Sequence, residues 1–183
     1  MTNDYMANVM LSGPLMADGS QNISLTPLHC FVGRHSAASA ISRYISDAHY
    51  TLYRVSEPSQ VTSSEGAVRL LNPLPLRPLR IITPSFVGAL ALSEVYPLDA
   101  AEVVEGLRKD SKTVQTLLMT NDPIIINELE PEEVSIVVDL DRGTGGGPTY
   151  RVTPISQTRN FADRIKAYKL GELWINYLHE LGE

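Results

Sequence analysis

A cysteine and two histidines form the first group in the chain that could carry out nucleophilic catalysis: His29, Cys30 and His35. A histidine that takes up the thiol proton converts a cysteine into a nucleophilic thiolate. If residues 29 and 30 lie on a strand, their side chains point to opposite faces, so His29 cannot easily serve Cys30 as a base. His35 could reach Cys30 across a turn at Gly33. The alternative is a Cys30 buried in a core strand. These three residues lack the paired ligands of a zinc site.

A second candidate is the pair Asp139-x-Asp141, whose carboxylates would share one face of a strand. With Glu132 or Glu133 nearby, such oxygens could hold a hard cation such as Mg²⁺ or Ca²⁺. The spacing of a calcium loop is absent, because the third acid and the terminal Glu are missing. The alternative is a solvated strand end. We therefore expect no metal ion and no cofactor.

A third candidate is the glycine-rich segment that follows Asp141. Its backbone amides could cradle a phosphate, but a phosphate-binding loop precedes a helix and carries a lysine. Here Pro148 and a strand follow, no lysine lies nearby, and Asp139 and Asp141 would repel a phosphate. We predict the loop of a hairpin, with a contact tip for a partner as the alternative; its glycines are Gly143, Gly145, Gly146 and Gly147.

Arginines near a run of prolines are the candidates for partner contacts. Arg69, Arg77 and Arg80 could grip an acidic partner, or the acidic half of a neighbouring copy. The alternative is ion pairing within the fold. Trp174 lies on a predicted helix and belongs to the core unless it is exposed, in which case it would anchor an interface. These four residues are the predicted partner-binding residues.

Strands and helices that must position these groups occur in blocks and do not strictly alternate. Hydrophobic patterns predict strands at Asn22–Val32 (interrupted by Pro27), Tyr50–Val55, Leu79–Ile82, Val134–Leu140 and Thr149–Ile155. Tyr5–Leu11 could be a short strand or an extended arm. The same patterns predict helices at His35–Ile45, Ser85–Tyr96, Asp99–Arg108, Thr113–Met119 and Asn160–Leu181. This order favours an α+β fold with a mixed, mostly antiparallel sheet, packed helices and a long C-terminal helix.

The length of 183 residues suits one domain covering residues 1–183. A cluster of prolines between residues 73 and 84 must be extended, because proline disfavours helix at the preceding residue. Residues 73–84 could therefore join two sub-lobes, residues 1–72 and 85–183. The prolines are Pro73, Pro75, Pro78 and Pro84.

Charge is distributed unevenly along the chain. The net charge of −6 divides into +1 for residues 1–93 and −7 for residues 94–183, and the bases are 11 Arg but only 4 Lys. Arginine suits interfaces better than lysine, because it forms planar bidentate contacts and is less strongly hydrated. Codon bias is the alternative explanation. The overall acidity makes nucleic-acid binding unlikely.

The sequence also predicts where in the cell the protein is found. A single cysteine excludes a disulfide scaffold. The longest apolar stretch, residues 85–95, is shorter than the roughly 20 residues of a membrane helix. The start of the chain lacks the basic residues of a secretory signal. We expect a soluble protein in the cytoplasm, or in a particle assembled there, with no membrane partner.

Taken together, these patterns favour a non-catalytic structural or assembly component that acts through protein–protein contacts. Its partners would be proteins, including copies of itself, as in a subunit of a virion-like or other multi-subunit particle. One alternative is a regulatory adaptor module that binds a peptide or protein. Another is an enzyme of an unfamiliar family, with a site near Cys30 and His35 or near Asp139 and Asp141.

Overall fold

The computed structural model describes residues 7–13, 16–34, 36–43, 45, 60–63, 66–70, 78–82, 99–140 and 148–177. Nine strands in these ranges form two sheets. Sheet 1 has four antiparallel strands in the order β2-β1-β5-β4, and sheet 2 has five strands in the order β6-β7-β3-β8-β9. The strands are β1 (Ala7–Ser12), β2 (Ser20–Leu25), β3 (Leu28–Gly33), β4 (Gln60–Ser63), β5 (Gly66–Leu70), β6 (Leu79–Ile82), β7 (Gln115–Met119), β8 (Val134–Leu140) and β9 (Thr149–Pro154).

Helices complete an α+β fold with a mixed sheet, as the sequence predicts. The helical segments are α1 (residues 36–43, with residue 45 also helical), α2 (Ala100–Asp110), α3 (Pro123–Asn127), α4 (Phe161–Arg164) and α5 (Leu170–Tyr177). Short 3-10 turns cover Pro131–Glu133 and Ile155–Gln157.

Strand β3 lies at the centre of sheet 2, where it is parallel to both β7 and β8. Strand β6 adds to β7 in the same direction, and β9 closes the other side of the sheet antiparallel to β8. All six residues of β3 are buried, as expected for a parallel strand covered on both faces. Pro27 separates β3 from β2, so the β-rich stretch around it contributes to both sheets.

Alternating side chains of sheet 2 pack into two cores. Phe31 faces a core shared with sheet 1 and α1, which we call the α1 side of the sheet. Cys30 and Val32 face the opposite core, shared with α2, α3 and α5, which we call the α2 side. The protein is therefore layered, with sheet 2 as the layer that both cores share.

The proposed division at residues 73–84 stays a prediction. Strand β3 comes from residues 1–72, yet it pairs with β7 and β8 from residues 85–183. The two segments therefore share one sheet. Residues 71–77 and 83–98 lie outside the described residues, as do the predicted strand Tyr50–Val55 and the predicted helix Ser85–Tyr96.

Several predicted elements are confirmed. Helix α2 covers the predicted segment Asp99–Arg108, and strands β6 and β8 coincide with their predictions. Strands β8 and β9 pair antiparallel as the two arms of the predicted hairpin. The connection between them at residues 141–147, with its glycines, lies outside the described residues.

The predicted helix at Thr113–Met119 is wrong, because Gln115–Met119 forms strand β7. Helix α2 ends where the hydroxyl of Ser111 donates to the carbonyl of Leu107 at 2.7 Å. The chain then enters sheet 2 between β6 and β3, where all five residues of β7 are buried. The segment forms a strand despite its helical propensity, because its side chains are buried on both faces of the sheet.

The predicted long C-terminal helix over Asn160–Leu181 is also wrong. It is divided into α4 and α5, and a new helix starts where the Glu172 carboxylate accepts from the Lys169 amide at 2.8 Å. The Gly171 amide donates to the Asn127 side-chain oxygen at 2.8 Å, which holds α5 against α3. Residues 178–183 lie outside the described residues.

Three glycine-to-alanine variants test this packing. A Cβ at Gly33 (φ +148°) would overlap the Val137 carbonyl oxygen, and one at Gly171 would overlap the Pro123 carbonyl oxygen. Gly106 in α2 has open space. We expect Gly33→Ala and Gly171→Ala each to lower the free energy of unfolding in urea by about 2 kcal/mol or more. Gly106→Ala, the control, should raise it by about 0.5–1 kcal/mol. Equal effects at all three positions would contradict this packing.

Candidate functional site

The carboxyl ends of the parallel strands in sheet 2 form the best candidate site. Strands β3 and β7 are neighbours, but the helices that follow them lie on opposite sides of the sheet: α1 on one and α3 on the other. The segments that follow β3 and β7 therefore leave the sheet in opposite directions. In open α/β sheets this divergence leaves room for a ligand or partner just outside the strand ends. We call this region the carboxyl edge, and its described residues are Gly33, Arg34, Asn121 and Asp139.

Asn121 fixes the two diverging loops to each other. Its side-chain oxygen accepts from the Gly33 amide at 3.1 Å, and its side-chain nitrogen donates to the Gly33 carbonyl at 2.8 Å. Gly33 adopts a φ of +148°, a conformation that favours glycine. The carboxyl edge is therefore a defined structure at the point where β3 turns into α1.

Arg34 follows this turn and carries a charged group at the rim. Its side chain is 80% exposed, and its Nη1 lies 3.3 Å from Oδ2 of Asp139 at the end of β8. The Arg34 carbonyl accepts from the Ala38 amide in the first turn of α1. An exposed pair of this kind contributes less than about 1 kcal/mol to stability. It nevertheless orients a guanidinium whose other N–H donors contact no acceptor within the described ranges.

The structure relates the two predicted enzyme sites. Strands β3 and β8 are hydrogen-bonded neighbours that run in the same direction, so the segments that follow them start at one edge. Asp139 lies in the described part of this edge. His35 and Asp141 follow the two strands but lie outside the described residues. Sequence reasoning treated the two sites as separate.

Cys30 does not have the properties of a nucleophile. It is fully buried on the α2 side of β3, and burial is the main factor that raises its pKa to about 12. Nearby Glu133 raises the pKa further, whereas a backbone hydrogen bond involving Thr120 lowers it. The thiol therefore stays protonated at neutral pH. The prediction that His29 and Cys30 face opposite sides of the strand is confirmed.

His29 is part of a buried polar network that the sequence did not reveal. Its Nε2 lies 3.0 Å from Ser135 Oγ on β8, and its Nδ1 lies 3.1 Å from Thr26 Oγ1. The Thr26 carbonyl accepts from the Gln115 side-chain nitrogen at 2.6 Å, so the network spans three strands. Burial lowers the pKa of His29 to about 3, which keeps the ring neutral. Because His29 and Ser135 are each 1% exposed, this network joins strands and does not meet a substrate.

Two of the predicted partner-binding arginines lie in different sheets. Arg69 lies on β5 in sheet 1, in register with Met10, whereas Arg80 lies on β6 in sheet 2. Arg80 contacts Asp110 at 3.3 Å and Thr116 Oγ1 at 3.2 Å, the intramolecular pairing that we gave as the alternative. Arg77 lies outside the described residues.

Trp174 lies in the core on the α2 side and is only 7% exposed, so little of its ring is available to a partner. Its role at an interface stays an untested prediction. The large apolar side chains that are exposed in the described ranges are instead its neighbour Ile175, at 60%, and Tyr168 before α5, at 39%. Their positions near the C-terminus were not predicted.

Within the described part of the chain, no metal site and no membrane-spanning helix indicates a function, and no similar protein does so either. Among the described residues, no group of three or more His, Cys, Asp or Glu side chains could hold a metal ion. None of the helices in these ranges is long and apolar enough to cross a membrane. No known protein family, curated protein or solved structure matches the chain.

The buried His29 predicts a specific pH dependence of stability. Its pKa is about 3 in the folded protein, against 6.5 for an exposed histidine. Between these values the unfolded chain binds a proton that the folded chain does not, so stability falls as the pH falls from 6.5 towards 3. The slope attributable to His29 is about 1.4 kcal/mol per pH unit at most.

The measurement compares the native chain with His29→Gln, and with His29→Asn should the first variant not fold. Carboxylates titrate alike in both proteins, so their contribution cancels. We expect the native chain to lose about 2 kcal/mol more than the variant between pH 7 and pH 5. Parallel pH profiles of the two unfolding free energies would show that His29 is not buried as a neutral ring.

Proposed function

We propose that this protein is a non-catalytic component that works through protein–protein contacts, with the carboxyl edge as a contact surface. The observation that supports this most directly is Arg34, which is 80% exposed yet oriented by Asp139 at 3.3 Å. Arginine is enriched at interfaces and among the residues that dominate binding energy. Its planar group suits carboxylates and backbone carbonyls of a protein partner.

The surroundings of Arg34 suit such a role. The two hydrogen bonds between Asn121 and Gly33 hold the backbone beneath it, and α1 begins directly after it. A contact residue on a fixed backbone loses less conformational entropy on binding than one on a loose loop. The glycine-rich segment follows β8 in the sequence, and we propose that it contributes a contact tip.

Both an assembly component and a regulatory adaptor would use a surface of this kind. The partner distinguishes them: an assembly component binds copies of itself or a particle subunit, whereas an adaptor binds a peptide or a different protein. We favour the assembly component, including a subunit of a virion-like particle, because the charge split along the chain suits self-association.

A second candidate function is catalysis at the same edge. The observation in its favour is that the parallel neighbours β3 and β8 both end at the edge where Asp139 lies. His35 and Asp141 follow these two strands in the sequence. Histidine and carboxylates at such a position could act as general base and acid. Full biological activity of both His35→Ala and Asp141→Asn would eliminate this candidate.

The proposed function predicts that Arg34 supports partner binding. The chain should either self-associate or co-purify in fixed stoichiometry with a protein from its source cells. Arg34→Ala should weaken that association by at least tenfold, which corresponds to about 1.4 kcal/mol. The control is Arg159→Ala, which removes another exposed arginine that lies beyond β9, at the opposite edge of sheet 2.

Light scattering after size-exclusion chromatography and titration calorimetry would give the mass and the affinity. A chain that stays monomeric and binds no protein from its source cells would contradict the proposed function. Equal binding by Arg34→Ala and the native chain would show that the contact surface lies elsewhere.

A further inference from the structure

The structure separates exposed charges onto opposite sides of sheet 2. Helix α1 packs on one side through Ala37, Ala38 and Ile41, and helix α2 packs on the other through Val104 and Leu107. The solvent-facing surfaces of the two helices therefore point in opposite directions.

The solvent-facing side of α1, in its described part, carries only basic charges. Arg43 is exposed, two turns after exposed Ser36 on the same face of α1, and Arg34 lies at the start of the helix. Two acids lie on the same side of sheet 2: Asp139 contacts Arg34, and Asp18 lies farther away, in the turn that packs through Met16. We call Arg34 and Arg43 the arginine face.

The solvent-facing side of α2 and of the adjoining 3-10 turn is acidic, whereas the α4 region on the same side of sheet 2 carries exposed Arg159, Lys166 and Lys169. Arg108 joins α2 to the 3-10 turn, since its Nη2 and Nε contact the Glu133 carboxylate at 2.8 and 2.9 Å and its Nη1 contacts Glu105 at 3.2 Å. The positive charge of Arg108 is thus used internally, while exposed acids remain around it. Lys109 and Lys112 lie at the far end of α2. The acidic face consists of Asp99, Glu102, Glu105, Glu130 and Glu132, all exposed.

We propose that copies of this chain associate head to tail, with the arginine face of one copy against the acidic face of the next. The two faces are complementary in charge but lie on opposite sides of one sheet, so they can meet only between copies. This inference rests on the proposed function and identifies the partner as a second copy of the chain.

Such a contact is heterologous, because the two surfaces that meet are different. An open assembly keeps one unused face of each kind at its two ends, so association continues until a ring closes or a filament forms. Charge complementarity of this type sets the orientation and the association rate, and salt weakens it, because the Debye length falls from about 10 Å at 0.1 M to about 3 Å at 1 M. The positive charges of this contact come from arginine, since residues 1–93 contain no lysine.

The test is sedimentation of the full chain with charge-reversed variants. One variant carries Arg34→Glu and Arg43→Glu, and the other carries Glu102→Arg and Glu132→Arg. The control carries Arg159→Glu and Lys166→Glu, which changes the net charge as much as the first variant but at exposed positions near α4. Circular dichroism and thermal midpoints establish that each variant folds, and a neutral pair, Arg34→Gln with Arg43→Gln, replaces the first variant should it fail to fold.

We expect the native chain and the control to associate at 50 mM NaCl and at least tenfold more weakly at 500 mM. Each reversed variant alone should associate at least tenfold more weakly than the native chain, and an equimolar mixture of the two should recover association, because reversed faces again meet opposite charge. A native chain that is monomeric at low salt would overturn the inference. So would a first variant that associates like the control, although self-association itself would then still support the proposed function.

Discussion

The double burial of strand β3 is the constraint on which the rest of the molecule depends. This strand is hydrogen-bonded to β7 on one edge and β8 on the other, and it contributes side chains to both cores. Every residue of β3 is buried, so its backbone groups must find partners in the flanking strands or, at Gly33, in the Asn121 side chain. The two flanking strands come from much later in the chain, and sheet 2 therefore forms only when distant segments meet.

This constraint extends to the carboxyl edge. A strand enclosed on both edges and both faces must leave the sheet sharply at its end, and Gly33 provides the backbone conformation for that turn. Where the hydrogen bonds between β3 and β7 end, the Asn121 side chain forms two hydrogen bonds with the Gly33 backbone. The position of Arg34, and with it the arginine face, follows from how β3 ends.

Local patterns were sufficient for much of the fold. Alternating and β-branched residues identified β6, β8 and β9, and helical spacing identified α2. The failures share one cause, which is contact between distant residues. The segment of β7 contains good helix formers, Leu117 and Leu118, and becomes a strand because two other strands enclose it. The C-terminal segment divides into two helices because Asn127, 44 residues earlier, binds the Gly171 amide.

The candidate site was predictable to a smaller extent. Opposite faces for His29 and Cys30 follow from strand geometry alone. Arg34 and Asn121 gave no signal in the sequence, because their roles depend on a contact between residues 88 positions apart and on a salt bridge between residues 105 positions apart. The division of charge along the chain was visible from the start, and the fold adds that α1, from the first half, and α2, from the second, pack on opposite sides of sheet 2.

Amide hydrogen exchange resolved by residue tests the central role of β3 most directly. If both cores and the carboxyl edge depend on this strand, the amides of β3 and of the β7 and β8 residues paired with it should be the slowest to exchange. They should exchange only through global unfolding, with a free energy equal to that of denaturant unfolding. Amides of β3 that exchange as fast as those of β1 and β2, or by local opening, would contradict the account.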